Sequence, residues 1–221
     1  MSATKVSTAA CAPGSILSRE PTPAQAVTPD MNALRSAKDL QGDAIIAQDG
    51  AIGFIVDVYF DDERWAVRYL VVDTGEPMPR RDVLIPCSKI EAGQDDDAVH
   101  VRLTRALVKA SPDADSDRPV ARQHELTYAQ RAHSDPHLRS SEVVSGCTIE
   151  APDGTAGRVE DLIIDATSWT IAGVVVGMPG WLHSHQVLLP PQAVESIDWP
   201  YRKVRVRLAR DAIQQLPAPP G

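Results

Sequence analysis

Asp49-Gly50-Ala51-Ile52-Gly53-Phe54-Ile55-Val56-Asp57 returns 104 positions later as Asp153-Gly154-Thr155-Ala156-Gly157-Arg158-Val159-Glu160-Asp161. Each copy opens on Asp-Gly, a hairpin-turn pair in which Gly accepts positive φ without steric cost. Each then runs into a stretch that reads as a strand. The register holds in both directions. Upstream, Leu34-Arg35-Ser36 returns as Leu138-Arg139-Ser140, and Gly42 returns as Gly146. Downstream, Asp61 becomes Asp165, Trp65 becomes Trp169, Val71-Val72 becomes Val175-Val176, and Pro86 becomes Pro190. One inserted residue then shifts the offset to 105, so that Val99, Val101 and Leu103 match Val204, Val206 and Leu208. The identities fall on Gly, Asp, Trp and Pro, residue types with special backbone roles, and identify an internal duplication.

Within one copy, Ala44 to Gln48 is a short apolar run, and Phe54 to Phe60 is β-branched and aromatic, as strands are. Trp65 to Val72 is a further strand, and Asp82 to Ile85 is closed by Pro86, which cannot donate to a ladder. Val99, Val101 and Leu103 alternate with polar residues, and Thr104 to Lys109 reads as a short helix. The second copy repeats the series and ends on a helical turn at Arg210 to Gln215. Short strands at short intervals predict an all-β chain of two tandem small β-barrels, each closed by a short helix. Closure would remove exposed sheet edges. The predicted organisation is a disordered N-terminal extension over 1–33, barrel domains over 34–110 and 138–216, and a tail over 217–221. Residues 111–137 are read as a solvated linker with a short helix within Arg122 to Arg131.

The chain has 221 residues, 43% hydrophobic and 24% charged, with a formal net charge of −8. That balance argues against nucleic acid as the main partner, because phosphate binding draws on clustered Lys and Arg. Cys11, Cys87 and Cys147 form no CxxC pair and are odd in number, which fits a reducing compartment. No apolar run approaches the roughly 18 residues of a membrane span, and Met1 to Ala10 lacks the apolar region of a secretory signal. The expected location is the cytoplasm, with peripheral membrane association left open.

Candidate chemistry reads as structure at each position. Asp57 and Asp161 lie within strands and read as acceptors of nearby backbone N–H groups. Asp49 and Asp153 precede Gly and read as turn residues. Asp113, Asp115 and Asp117 have calcium-loop spacing, but Arg118 stands where that loop needs Gly and His124 where it needs Glu. His183 with His185, and His133 with His137, have no third ligand at metal-site spacing. No nucleophile elbow, phosphate loop or dinucleotide fingerprint is present. The expectation is therefore no catalytic residue, no metal and no cofactor.

The run Gly42…Asp49-Gly50-Ala51-Ile52-Gly53…Asp57, then Trp65-Ala66-Val67-Arg68-Tyr69-Leu70-Val71-Val72-Asp73, then Val83-Leu84-Ile85-Pro86, resembles the PRC-barrel family. That family is named for the cytoplasmic domain of the photosynthetic reaction-centre H subunit and includes a domain of a ribosome-maturation factor. The opening Leu34 to Leu40 is similar to the start of stand-alone bacterial members. The resemblance extends from Leu34 to Leu216. It implies PRC-type barrels that mediate assembly with other macromolecules, and it carries over no catalytic residues. Two differences separate the copies: Pro77-Met78 against Trp181-Leu182, and Tyr69 against Gly173.

The expected function is non-enzymatic binding or scaffolding through a protein partner or self-association. Alternatives are a membrane-peripheral part of photosynthetic or electron-transfer assemblies and an RNA- or ribosome-associated factor. Phe54 and Val56 are replaced in the second copy by Arg158 and Glu160, which marks them as a surface to be covered, either by the other barrel or by another subunit. Trp181, beside a Gly-Pro-rich loop, is the candidate aromatic anchor. Arg202, Lys203, Arg205, Arg207 and Arg210, alternating with Val204, Val206 and Leu208, form the basic cluster, of which Arg202, Arg205 and Arg207 are the candidate contacts; it reads either as a solvated outer face or as a contact for an acidic partner, a lipid headgroup or RNA. The repeat motif itself comprises Gly42, Asp49, Gly50, Gly53, Asp57, Trp65 and Pro86, and Gly146, Asp153, Gly154, Gly157, Asp161, Trp169 and Pro190.

Overall fold

A computed structural model of the chain describes residues 33–75, 81–91, 98–178 and 185–220. The extension over 1–32, Trp181, His183 and the Pro77-Met78 pair lie outside the described residues.

β1 (Leu34–Ser36) leads into one helical turn, α1 (Ala37–Leu40), because the Ser36 hydroxyl accepts the N–H groups of Lys38 and Asp39. β2 (Ala44–Ala47) and the long β3 (Gly50–Asp61) form the expected hairpin, and Gly50 takes φ 125° at its turn. β4 (Ala66–Asp73), β5 (Asp82–Pro86) and β6 (Ala98–His100) follow, and α2 (Arg105–Lys109) is capped by Thr104. The second half repeats the series as β7 (Leu138–Ser140), α4 (Ser141–Val144), β8 (Thr148–Ala151), β9 (Gly154–Asp165), β10 (Thr170–Met178) and β11 (His185–Leu189). β12 (Val194–Asp198), β13 (Lys203–Val206) and α5 (Arg210–Gln214) end it. Between the halves stands α3 (Tyr128–Arg131).

The protein is thus mostly β with few short helices. Among the described residues the strands are not parted into two sheets, one for each half. Among the described residues they make one large sheet with the path β12-β13-β8-β9-β10-β4-β3-β2-β6, which has two ends and does not close. Two features carry the ladder across both halves. Trp65 and Trp169 adopt left-handed φ of 53° and 54°. Each of their carbonyls meets the other half: Val67 N–H donates to Trp169 O at 2.8 Å, and Ile171 N–H donates to Trp65 O at 2.7 Å. The opening strands are also exchanged. β1 pairs with β9 of the second half, and β7 pairs with β3 of the first, in equivalent registers (Leu34 opposite Asp165, Leu138 opposite Asp61).

One apolar core consequently runs through both halves. It joins Ile45, Ile55, Phe60 and Leu70 to Ile149, Leu162, Ile164 and Val176, and Phe60 and Trp65 stack with ring centroids 5.8 Å apart. A second, smaller cluster holds Tyr59, Val71, Leu84, Ala114 and Leu138. It overturns the expectation of a solvated linker. The connection after α2 lies across the outer face of β3–β4–β5, and Leu84 N–H donates to Pro112 O at 2.8 Å. Ala114 and Ala121 are buried there. The Gln123 amide donates to the carbonyls of Arg118 (3.0 Å) and Asp135 (2.6 Å), folding the connection onto itself. The helix expected within Arg122 to Arg131 is split. A 3₁₀ segment spans Val120–Glu125, Leu126 is extended, and α3 restarts with a Thr127–Gln130 capping box.

Candidate interaction face

The outward residues of β6, β2 and β3 stand in rows set by register. Ala44 faces Phe54 on one side and Ala98 on the other; Ile46 faces Ala51 and His100. Directly opposed residues share a sheet face. Inward-pointing Ile45 and Val99 are fully buried, so this other face looks to solvent. Phe54 is 58% exposed and Val56 37%. Within these three strands and apart from His100, the two rows are apolar; on β4 the Phe54 row continues to Asp73.

The equivalent rows of the second half are polar. Thr148 faces Arg158 and Lys203; Glu150 faces Thr155 and Arg205. Phe54 and Val56 are here Arg158 and Glu160. Lys203 Nζ lies 2.6 Å from Glu150 Oε1, and Arg205 Nε lies 3.4 Å from Oε2 of the same carboxylate. The hydrogen bond from Lys203, with Arg205 beyond it, holds the Glu150 carboxyl below its ordinary range. Arg205 also reaches Asp198 at 3.6 Å. Two topologically identical surfaces of one chain therefore carry opposite chemistry.

These placements divide the expected partner surface. Phe54 and Val56 stand together on the apolar face, whereas Arg205 belongs to the charged one and is partnered there by carboxylates. Arg202 is exposed with its guanidinium over the Trp199 ring, 5.6 Å from the centroid, and Arg207 is exposed further along. The apolar pair and the basic cluster are not brought together. A shallow groove of ≈ 330 Å³ borders Phe54, between Ala44, Ala51 and Gly53 on one side and Thr74, Gly75, Arg105 and Lys109 on the other.

The repeated aspartates do different work. Asp57 accepts four hydrogen bonds: from the hydroxyls of Ser140 (2.5 Å) and Ser141 (2.8 Å), and from the N–H groups of Glu142 (3.2 Å) and Val58 (2.7 Å). Three of these donors come from the other half of the chain. Asp161 mirrors it, accepting from the Ser36 hydroxyl and from the N–H groups of Lys38 (3.3 Å) and Leu162 (2.7 Å). Burial raises the Asp57 pKa, and the hydrogen bonds of Ser140, Glu142, Ser141 and Val58 oppose that rise. Each carboxylate caps the helical turn that follows the exchanged strand, and so fastens the exchange. The sequence carried a signal for this that its reading missed: Ser36/Ser140 and Asp57/Asp161 recur together, at one offset.

Asp49 and Asp153 accept the N–H groups of Arg105 (2.6 Å) and Arg210 (3.0 Å), tying each hairpin turn to the first residue of the closing helix. Asp61 and Asp165 close the turns that place the two tryptophans: Asp61 accepts from Glu63 and Arg64 N–H, and Asp165 from Thr167 and Ser168 N–H.

The hairpin, the long bulged strand and the Trp-led return strand occupy the positions where the sequence resembles a known family. Residues 34–108 match the family model of the PRC-barrel domain. No curated protein matches the chain. The second half carries the elements of the PRC-barrel segment at offsets of 104 to 105, from β7 to α5. Among the described residues no helix is long and apolar enough to cross a membrane.

Proposed function

We propose that the chain is a non-enzymatic assembly protein in which two PRC-type repeats, joined in one sheet, hold one apolar face toward a protein partner. The PRC-barrel match suggests a protein-interaction or scaffold module. The observation that carries the reading is the contrast between the two equivalent faces. An Ala/Ile/Phe/Val surface stands where the same fold, in the same chain, also supports a Thr/Glu/Arg/Lys surface. Solubility alone favours the charged version on both, since exposed apolar patches mark interaction sites. The deeply hydrogen-bonded aspartates are accounted for by the exchange and need no chemistry of their own.

The test exchanges the faces. Phe54→Arg with Val56→Glu installs residues that the equivalent positions already carry. In fresh cell extract under native conditions the unaltered chain should migrate in a complex larger than a single chain, and the variant should not. Migration of the unaltered chain as a free monomer would refute the reading.

A further inference from the structure

The contact between the two halves, which is separate from the apolar face, has the form of a two-fold interface. In such an interface, when residue i of one partner meets residue j of the other, j of the first meets i of the second. With the halves matched at the offset of 104, the backbone contacts obey this. Val67 N–H on Trp169 O returns as Ile171 N–H on Trp65 O, and Asp62 N–H on His137 O returns as Ala166 N–H on Ala33 O. Ala66 opposite Thr170 maps onto itself and marks the axis.

The charges break this symmetry. On the first half Asp62 binds His137 and Arg139, and Arg68 binds Asp135 at 3.2 Å. All three partners lie on β7 or just before it. The positions equivalent to Asp62 and Arg68 are Ala166 and Ala172, which bring no charge. Arg35, the equivalent of Arg139, turns instead to Asp43 of its own half at 2.8 Å. The second half has no such recourse, since Cys147 stands where Asp43 would.

We propose that Asp62 and Arg68 make the first half a recognition surface for an Asp-x-His-x-Arg opening strand. The halves therefore sort into unlike pairs and hold together without the peptide link between them. Two second halves set together by the same two-fold would leave each Arg139, whose side chain is only 12% exposed, facing Ala166 in place of Asp62. A buried charge stripped of its partner is strongly unfavourable. Two first halves would lose Asp135 and His137 as partners. Trading two unlike pairs for like ones makes one pair of each kind, so the stranded arginines always count against the trade.

Cutting the chain between the halves tests this. A protease site inserted after His133, an exposed position, is cleaved once the full chain has folded. Cleaved protein is mixed with a second preparation whose first half carries a mass tag, equilibrated, and read by native mass spectrometry. Unlike pairs should outnumber like pairs by about 100-fold or more. Ala166→Asp gives second halves the carboxylate they lack, and should make pairs of second halves appear. Halves that part on cleavage, like pairs as common as unlike ones, or no change with Ala166→Asp would each overturn the inference. If the inserted chain does not fold, the chain without an insertion decides through a double-mutant cycle. Asp62→Ala with Arg139→Ala should shift the unfolding constant about tenfold less than the product of the separate effects. Independent effects of the two substitutions would overturn the inference equally.

Discussion

The Ser140 hydroxyl donates to the Asp57 carboxylate at 2.5 Å, and the two residues belong to opposite halves of the chain. Ser141 and the Glu142 N–H complete the same contact. Because Asp57 is buried, removing its carboxyl takes the acceptor from four donors, of which the Val58 N–H keeps a longer bond to the Ser141 hydroxyl at 3.3 Å. Asp57→Ala should destabilise the protein by about 2–4 kcal/mol. Asp57→Asn, which keeps an acceptor oxygen, should cost less. Urea unfolding followed by tryptophan fluorescence measures both. Equal losses for the two variants would mean that the site is held by packing and not by its hydrogen bonds.

Gly53 and Gly157 are the two glycines of the motif where space leaves no choice. A Cβ on Gly53 would stand 2.1 Å from the Asp73 carbonyl oxygen, and one on Gly157 2.4 Å from that of Gly177. Both obstacles are backbone of the neighbouring strand, which moves only by breaking its ladder. Gly53→Ala and Gly157→Ala should each cost about 2 kcal/mol or more, read from thermal unfolding. A variant melting with the unaltered protein would show that β3 and β4, or β9 and β10, separate more easily than their pairing implies.

Much of this was legible in the sequence because it rests on local rules. The Asp-Gly turns, the bulged strand after them, the Trp-led return strands and the closing helical turns follow from turn chemistry and alternation, and all recur. The route of β1 and β7 was not legible. Leu34-Arg35-Ser36 pairs equally well in principle with its own long strand or with the equivalent strand of the other repeat, since the two are near-copies. Only geometry decides between them: the left-handed Trp65 and Trp169 bring the two long hairpins together. The linker was misread for a related reason. Its Asp- and Arg-rich composition suggested solvent, but those charges pair locally, Arg118 with Asp115 and Glu125, while Ala114 and Ala121 are buried. The apolar face was marked by Phe54 and Val56 alone. Ala44, Ile46 and Ala98 joined them only once strand register was known.

His137 gives the fold a pH dependence of definite sign. Its Nδ1 lies 2.8 Å from Asp62 Oδ1, and Arg139 Nε binds the other carboxylate oxygen at 2.6 Å. The hydrogen bond to Asp62 raises the His137 pKa above its ordinary value. A histidine whose folded pKa exceeds its unfolded one contributes its full stabilisation below the unfolded value, near 6.5, and loses it as pH rises through the folded value. The contribution is small, because the ring is half exposed. His137→Gln should therefore flatten the decline in urea midpoint on going from about pH 6 to pH 8 while leaving the midpoint at pH 8 nearly unchanged. An identical decline in the variant would place the pH sensitivity elsewhere.

Leu138 and Leu34 occupy equivalent positions on the two exchanged strands, but their surroundings differ. Leu138 is fully buried among Tyr59, Val71, Leu84 and Ala114, since the connection between the halves folds over it. Leu34 is only half-buried. Truncating Leu138 leaves a cavity that its neighbours, pinned in the sheet, fill poorly, whereas water and flexible neighbours can fill the space at Leu34. Leu138→Ala should cost about 2–4 kcal/mol in equilibrium unfolding, and Leu34→Ala distinctly less. The difference isolates what the connection adds, because the strand exchange is common to both sites. Equal losses would mean that the exchange alone buries these leucines and that the overlying segment contributes no packing energy.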